Sequence, residues 1–285
     1  MNRLIIIGRE SYIGTRYFQC YGYQKNIIYT SIKPLKNDMY LDINKKYNLD
    51  YIRQNDIIIF LVSISSPDIC QQKYEFAYKI NVDYTIQFME RVVEKKAKVL
   101  FFSSDTVYGN VTEVFDETKK PKPVGRYAEM KYEVEKYFMG CHSIKIFRLS
   151  YVFSKYDKFT SYLGNCVKSN IIADVYHPVL RTVVYIQDVI SAIDIIYNRW
   201  TDYDNQIFNI SGSDLLSRVD MAKMYRDNVN SKLLYKISTP DKEYYTARPK
   251  VINMNSIFFK HLLGRRPLSI ENAIKTEFVE NCSRK

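Results

Sequence analysis

One spacing in the chain could carry proton chemistry. Within Arg126-Tyr-Ala-Glu-Met-Lys-Tyr-Glu-Val-Glu-Lys136, Tyr127 stands four residues before Lys131, and Tyr132 four before Lys136. On a helix this places phenol and ammonium on one face. An ammonium beside a phenol favours the phenolate and makes a group with a reference pKa near ~10 a usable proton shuttle. The spacing alone does not choose between the pairs. The chain holds 26 tyrosines, and Tyr29 with Lys33 repeats the pattern a third time. Upstream, Ser103-Ser104-Asp105-Thr106 offers hydroxyls and a carboxyl in one short stretch, running into Val107-Tyr108-Gly109.

These groups need a scaffold, and the apolar pattern supplies one. The runs at Leu4–Ile7, 26–29, 56–61, 99–102 and 144–147 read as strands. They are almost continuously hydrophobic, as parallel strands covered on both faces are. Helix-period patterns fill Tyr12–Tyr21, 73–94 and 128–139 between them. Alternating strands and helices predict an α/β protein, a Rossmann-like doubly wound parallel sheet. Further strands are expected at 183–186 and Ile207–Ile210, with a helix over 188–199. The stretch 154–180 and everything after Ser211 lack the alternation. The expected organisation is a dinucleotide-binding domain over 1–153, to which 182–210 returns. A smaller C-terminal α/β substrate lobe is then built from 154–181 and 211–285.

The first strand runs into Gly8-Arg9-Glu10-Ser11-Tyr12-Ile13-Gly14, a glycine-bearing turn that opens a helix. Such a turn lets backbone amides and the helix dipole meet a pyrophosphate. Ser11 occupies the middle glycine position, where a positive φ would be costlier than for glycine. An acidic residue at the end of the second strand would favour NAD through the ribose 2′-OH. Here the chain reads Tyr29-Thr-Ser31-Ile-Lys33-Pro-Leu-Lys36, so Ser31, Lys33 and Arg9 lean toward the 2′-phosphate of NADP, with NAD the alternative.

Composition narrows the class. A chain of 285 residues buries roughly 75% of its unfolded surface and folds without disulfides or metal. Cys20, Cys70, Cys141, Cys166 and Cys282 show neither CxxC pairs nor a disulfide framework, which predicts free thiols and a cytoplasmic location. His142, His177 and His261 are scattered without metal spacing. No apolar run approaches the ~18 residues of a membrane span. The net charge of +11 is dispersed, without a stripe or a finger motif, so no nucleic-acid or membrane partner is expected. A diffuse positive field suits small anions such as dinucleotides and nucleotide sugars. A homodimer stays open beside a monomer.

The block Ser103-Ser-Asp-Thr-Val-Tyr-Gly109, followed by Tyr127-x-x-x-Lys131 and Glu135, resembles the extended short-chain dehydrogenase/reductase family, whose members carry Ser-Ser-x-x-Val-Tyr-Gly and then Tyr-x-x-x-Lys. Asp42-Ile43, Leu61-Val62-Ser63 and Asn81-Val82 are similar to the family's adenine contact, small-residue turn and Asn-Val pair. Arg148-Leu-Ser-Tyr-Val-Phe and Arg181-Thr-Val-Val-Tyr-Ile-Gln-Asp188-Val resemble further blocks. Ala247-Arg248-Pro249 looks like the Ala-x-Arg-Pro of dTDP-4-dehydrorhamnose reductases. The resemblance spans nearly the whole chain. It implies Tyr127 as proton donor, Lys131 as its activator and ribose anchor, and Ser104 as the hydroxyl on the substrate oxygen. It places Gly8, Arg9, Ser11, Tyr12, Ile13, Gly14, Ser31, Lys33, Asp42, Ile43, Leu61, Val62, Ser63 and Asn81 on the cofactor. Asp105, Thr106, Arg181 and Arg248 fall to the substrate, since Arg forks match phosphate oxygens. Lys250 is an equally good solvated lysine.

Within that family, 4,6-dehydratases place an Asp-Glu pair after the catalytic hydroxyl, whereas here Thr106 follows Asp105. Epimerase-reductases use a cysteine where Asp105 stands. The expected activity is therefore NADPH-dependent reduction of the C4 ketone of a nucleotide-linked 4-keto-6-deoxy sugar in polysaccharide synthesis. The alternatives are a nucleotide-sugar 4-epimerase with tightly bound NAD and a non-catalytic regulator of the same fold.

Overall fold

A computed structural model describes residues 2–278. In chain order the strands are β1 (Leu4–Ile7), β2 (Ile27–Ser31), β3 (Met39–Tyr40), β4 (Ile57–Phe60), β5 (Lys98–Ser104), β6 (Val111–Phe115) and β7 (Ile144–Leu149). They continue with β8 (Tyr151–Phe153), β9 (Ala173–Tyr176), β10 (Leu180–Tyr185), β11 (Ile207–Ile210), β12 (Asp214–Ser217), β13 (Tyr235–Ser238) and β14 (Val251–Met254). The helices are α1 (Tyr12–Tyr21), α2 (Pro67–Gln72), α3 (Tyr74–Tyr78), α4 (Thr85–Glu94), α5 (Arg126–Tyr137), α6 (Lys158–Lys168), α7 (Ile186–Asn198), α8 (Arg218–Asn228), α9 (Phe259–Leu263) and α10 (Ile270–Phe278).

The main sheet runs β11-β7-β5-β4-β1-β2-β3, with every neighbouring pair parallel. Its continuous apolar runs are explained by where alternate residues go. Leu4, Ile6, Ile57 and Ile59 pack with Ile13 and Tyr17 of α1 and Val189 and Ile193 of α7. Ile5, Ile7, Ile58 and Phe60 pack on the other face with Phe88 and Met89 of α4 and Met130 and Val134 of α5. Both faces are covered, so neither set of side chains can be polar. The strand order reverses between β1 and β4, and the carboxyl ends there form the crevice where open α/β sheets bind ligands.

Two expectations change in detail. The helix expected over 73–94 is interrupted by a π-helical turn, Lys79–Tyr84, between α3 and α4. Such turns cluster at functional sites, and this one carries the buried Asn81. A second sheet, β12-β10-β14-β6 with β8 on β10, takes β12 and β14 from the segments without alternation but β6, β8 and most of β10 from outside them, and a β13-β9 pair lies within those segments. In the second sheet β12 runs antiparallel to β10 while β14 and β8 run parallel to it. Four of the cysteines, Cys20, Cys70, Cys141 and Cys166, are free thiols, and Cys282 lies outside the described residues. Among the described residues no helix is long and apolar enough to cross a membrane.

Candidate active site

The turn after β1 is shaped by what has no room in it. A Cβ on Gly14 would lie 2.6 Å from the Gly8 carbonyl oxygen and 2.8 Å from that of Arg9, so only glycine lets α1 start this close to the strand. Ser11 caps α1, its Oγ accepting from the Gly14 amide at 3.1 Å. Its φ is −63°, so the backbone strain expected of a serine here does not arise. Ile13 is core, and the Tyr12 hydroxyl donates to Ser154 Oγ at 2.7 Å, tying the turn to the segment before α6.

At the end of β2, Thr30 Oγ1 is buried with no partner, and Ser31 Oγ accepts from the Lys33 amide at 2.8 Å. An acid missed in the sequence lies further on. Asp38 accepts from Arg9 Nε at 2.6 Å, from the Leu35 amide at 2.9 Å and from the Tyr23 hydroxyl at 3.0 Å. Its side chain is fully buried, so it positions Arg9 rather than offering a carboxylate to a ribose. Asp42 accepts from the Asn44 amide at 2.9 Å, and Ile43 beside it is buried. The Leu61 amide donates to Ile7, and Val62 faces Gly8. Asn81 braces this turn: its Oδ1 accepts from Ser63 Oγ (3.1 Å) and the Ile64 amide (2.8 Å), and its Nδ2 donates to the Ile64 carbonyl (3.0 Å). It therefore shapes the loop rather than presenting its own side chain to the crevice. The bare glycine turn, the helix N-terminus and the orphaned Thr30 hydroxyl together fit a dinucleotide.

The candidate catalytic groups meet at the end of β5. Ser104 Oγ donates to Asp105 Oδ1 at 3.1 Å and accepts from the Thr106 hydroxyl at 2.9 Å and the Thr106 amide at 3.2 Å. Tyr127, in the first turn of α5, lies within electrostatic reach of Cys70, of Asp105 after β5 and of Ser63 after β4, so the turns after β4 and β5 converge on it. Lys131, one helical turn on, is buried and donates to the Phe102 carbonyl at 2.9 Å. Its Nζ lies 5.9 Å from the Tyr127 ring centre. The competing pair separates from the cleft: Tyr132 packs against Val107, Tyr108 and Phe115, and Lys136 is exposed.

Electrostatics differ from the simple activation picture. Burial pushes the Tyr127 phenol well above its ordinary pKa, and burial also lowers Lys131 to about 8. Without cofactor, the pair is a protonated phenol beside an ammonium whose proton is easily lost. Burial likewise raises Asp105 to about 6, against the pull of Arg181, and leaves its Oδ2 without a partner. Because the folded-state pKa exceeds the unfolded one, folding protonates Asp105 between about pH 4 and 6 and carries the full cost of its charge above that. This cost is about 3 kcal/mol. Asp105→Asn is therefore expected to be more stable than wild type above pH 6, with the advantage vanishing as the pH falls to about 4. Denaturant titrations at pH 4.0 and pH 7.5, conditions at about those limits, check this.

The helix carrying Tyr127 is held from both ends. Gly125, its N-cap, has φ +87°, and a Cβ there would lie 2.6 Å from the Ala247 oxygen and 2.8 Å from its carbonyl carbon. The Ala247-Arg248-Pro249 block thus rests directly on the start of α5. Gly125→Ala is expected to cost about 1–3 kcal/mol and to depress turnover, because either φ or the block must move. Denaturation and kcat on the same preparation measure both. One turn beyond Lys131, buried Glu135 receives Nε (3.1 Å) and Nη2 (2.5 Å) of buried Arg148. Arg148 Nη1 donates to the Tyr108 hydroxyl at 2.7 Å, which donates to Asn209 at 2.8 Å.

Of the substrate candidates, Arg181 donates to the carbonyls of Leu180 (2.7 Å) and Pro249 (2.6 Å) and lies in the field of Asp105. Arg248 pairs with Asp68 of α2 at 2.5 Å and lies over the Tyr244 ring. That pair joins α2 to the Ala247-Arg248-Pro249 block, and an anion taken up by Arg248 would compete with Asp68 for it. Lys250 lies over the Tyr245 ring. A cavity of about 310 Å³ opens beside α1, lined by Tyr12, Arg16, Ser154, Tyr156 and Ile186 among others, and none of Ser104, Tyr127 and Lys131 reaches it. Arg218, unmarked by any sequence signal, lies near Arg181.

A family model described as the RmlD substrate binding domain matches residues 2–282. An ADP-L-glycero-D-manno-heptose-6-epimerase from Brachyspira hyodysenteriae is 23% identical over 219 residues, 70% of this chain and 68% of its own length. The structure of a dTDP-4-dehydrorhamnose reductase from Bacillus anthracis in complex with NADP is similar with a TM-score of 0.82 at 22% identity, over 98% of this chain and 99% of that one. A UDP-glucuronic acid 4-epimerase from Bacillus cereus, bound to UDP-glucuronic acid and NAD, has a TM-score of 0.81 at 17% identity, over 99% of this chain and 100% of its own. The chain belongs to the RmlD substrate-binding family, and with its Rossmann-like sheet and Tyr-x-x-x-Lys helix it is an NAD(P)-dependent enzyme of the extended short-chain dehydrogenase/reductase type.

Proposed function

We propose that this enzyme reduces the C4 ketone of a nucleotide-linked 4-keto-6-deoxy sugar, with NADPH as the preferred cofactor. The observation that carries the reading is the phenol of Tyr127, which burial keeps protonated while Lys131 is turned to the Phe102 carbonyl. A ketone reduction begins by needing an acid at the carbonyl oxygen, and this site begins with one in place. Thr106 beside Asp105 supplies a hydroxyl where dehydration would call for a second carboxylate.

NADPH, when bound, supplies the hydride. The chain's own residues do the rest. The turn 8–14 and the amides opening α1 hold the pyrophosphate. Arg9, fixed by Asp38 and lying 5.6 Å from the Phe18 ring centre, is set toward a 2′-phosphate. Ser104 exchanges its bond to Asp105 for one to the substrate oxygen, and Tyr127 delivers its proton to that oxygen. Lys131 then stabilises the phenolate left behind. Arg181 and Arg248 take the diphosphate, the latter giving up Asp68.

A 4-epimerase with retained NAD is the second reading, favoured by the likeness to UDP-glucuronic acid 4-epimerase. The two separate in one assay: NADPH and NADH oxidation with dTDP-, UDP-, GDP- and CDP-linked 4-keto-6-deoxy sugars. Stoichiometric oxidation of NADPH, faster than of NADH, with one nucleotide series is the expected result. Interconversion of C4 epimers without net oxidation would replace the reductase by the epimerase.

A further inference from the structure

The register of the second sheet gathers three arginines at one end. Arg181 stands near the start of β10, opposite Leu216 of antiparallel β12 and Ile252 of parallel β14. Since β12 runs against β10, it finishes where β10 begins: Ser217 pairs with Leu180, and Arg218 follows as the first residue of α8. Since β14 runs with β10, it also begins there: Val251 pairs with Leu180, and Arg248 comes just before it. The side chains are close enough to sense one another. Burial lowers the Arg181 pKa first, and the charges of Arg218 and Arg248 add to that, against Asp105.

The three differ in what already satisfies them. Arg181 is held by backbone carbonyls and Arg248 by Asp68. Arg218 lies 4.2 Å from the Tyr151 ring centre and 4.5 Å from that of Phe159. Its Nη1 reaches the Met221 sulfur at 3.9 Å, the Tyr151 hydroxyl lies within its reach, and among the described residues no carboxylate pairs with it. Stacking on rings covers the faces of a guanidinium and leaves its hydrogen-bonding edge for a planar or phosphoryl oxyanion. Tyr151 itself opens β8, which pairs with Val183 of β10, just beyond the end of β7. The stack therefore stands between the arginine end of the second sheet and the carboxyl edge of the main one.

We propose that Arg218 completes, with Arg181 and Arg248, a cradle for an oxyanion of the nucleotide sugar, and so helps decide which nucleotide sugars are accepted. This rests on the nucleotide-sugar reading above. The oxyanion is either the diphosphate or a carboxylate carried by the sugar, and both meet a guanidinium edge in the same way.

The test is a calorimetric titration of the whole chain, saturated with NADPH, using dTDP, UDP, GDP, CDP, UDP-glucose and UDP-glucuronic acid. Arg218→Gln is expected to weaken binding about tenfold, with NADPH affinity unchanged as the control for folding. A loss shared by all ligands assigns Arg218 to the diphosphate, and a loss confined to UDP-glucuronic acid assigns it to a sugar carboxylate. Unchanged affinity for every ligand that wild type binds would reduce Arg218 to packing and overturn the proposal alone. Wild type binding none of them would overturn the nucleotide-sugar reading and this proposal together. Should the Gln variant lose NADPH binding, Arg218→Lys decides, since it keeps the stem and charge but not the planar fork. A severalfold loss supports the cradle and full affinity removes it.

Discussion

Tyr127→Phe is expected to reduce turnover by about 10²- to 10⁴-fold while NADPH affinity changes by less than about threefold. The substitution removes one oxygen from a ring that otherwise stays in place against the same cleft. What is lost is the proton donor, which burial keeps in its neutral, protonated form. Lys131 does not take its place, because it sits one helical turn further on, with its Nζ 5.9 Å from the Tyr127 ring centre and turned to the Phe102 carbonyl. Ser104 cannot either, since its own hydrogen goes to Asp105 and a serine hydroxyl is too weak an acid. A single-turnover measurement with saturating substrate isolates the chemical step from product release. Unchanged turnover in this variant would remove Tyr127 from the mechanism.

Arg148→Leu is expected to destabilise the fold by about 3–5 kcal/mol, because it strands Glu135 as an uncompensated buried charge. Both side chains are essentially inaccessible, at 2% and 0% exposure. The loss also frees the Tyr108 hydroxyl from its donor, although the bond from Tyr108 to Asn209 remains. The double variant Arg148→Leu, Glu135→Leu is expected to recover much of the stability, since removing both charges also removes their desolvation cost. Denaturant midpoints of the two variants against wild type measure the difference. Equal destabilisation by the single and double variants would mean that packing, rather than stranded charge, sets the cost. The consequence for the candidate site is positional: Glu135 stands four residues after Lys131 on α5, so this pair clamps α5 to β7.

The main sheet was legible because its signal is local. Strands covered on both faces, such as Leu4–Ile7 and Ile57–Phe60, must be apolar at every position, and α1 begins and ends where its pattern does. The two halves of the catalytic stretch were legible through a family resemblance rather than through periodicity, since Tyr127 and Tyr132 have the same spacing to lysine. What was not legible is long-range. Asp38 is hidden in a loop whose only visible chemistry is lysine and serine, yet it fixes Arg9 from 29 positions away. The Asp68–Arg248 pair joins residues 180 apart. The second sheet pairs β6 with β14 and mixes strand directions, so neither strand has a sequence neighbour to announce it. The π-helical turn escaped because its apolar spacing differs little from that of the α-helices beside it, while its cause, Asn81 reaching the turn after β4, is tertiary. Arg218 lies in an ordinary capped helix start, and only the register of β10, β12 and β14 brings it to Arg181.

The most direct test of the reductase reading follows the hydride itself. The enzyme is given NADPH deuterated at the transferable position, together with the 4-keto sugar of the nucleotide series it consumes, and the product is examined by mass spectrometry and NMR. The account predicts one deuterium at C4 of the product sugar for each NADPH oxidised, with the new hydroxyl proton drawn from solvent through Tyr127. A product with no deuterium at C4, formed while tightly held NAD cycles without net consumption of NADPH, would contradict it and assign the site to epimerisation.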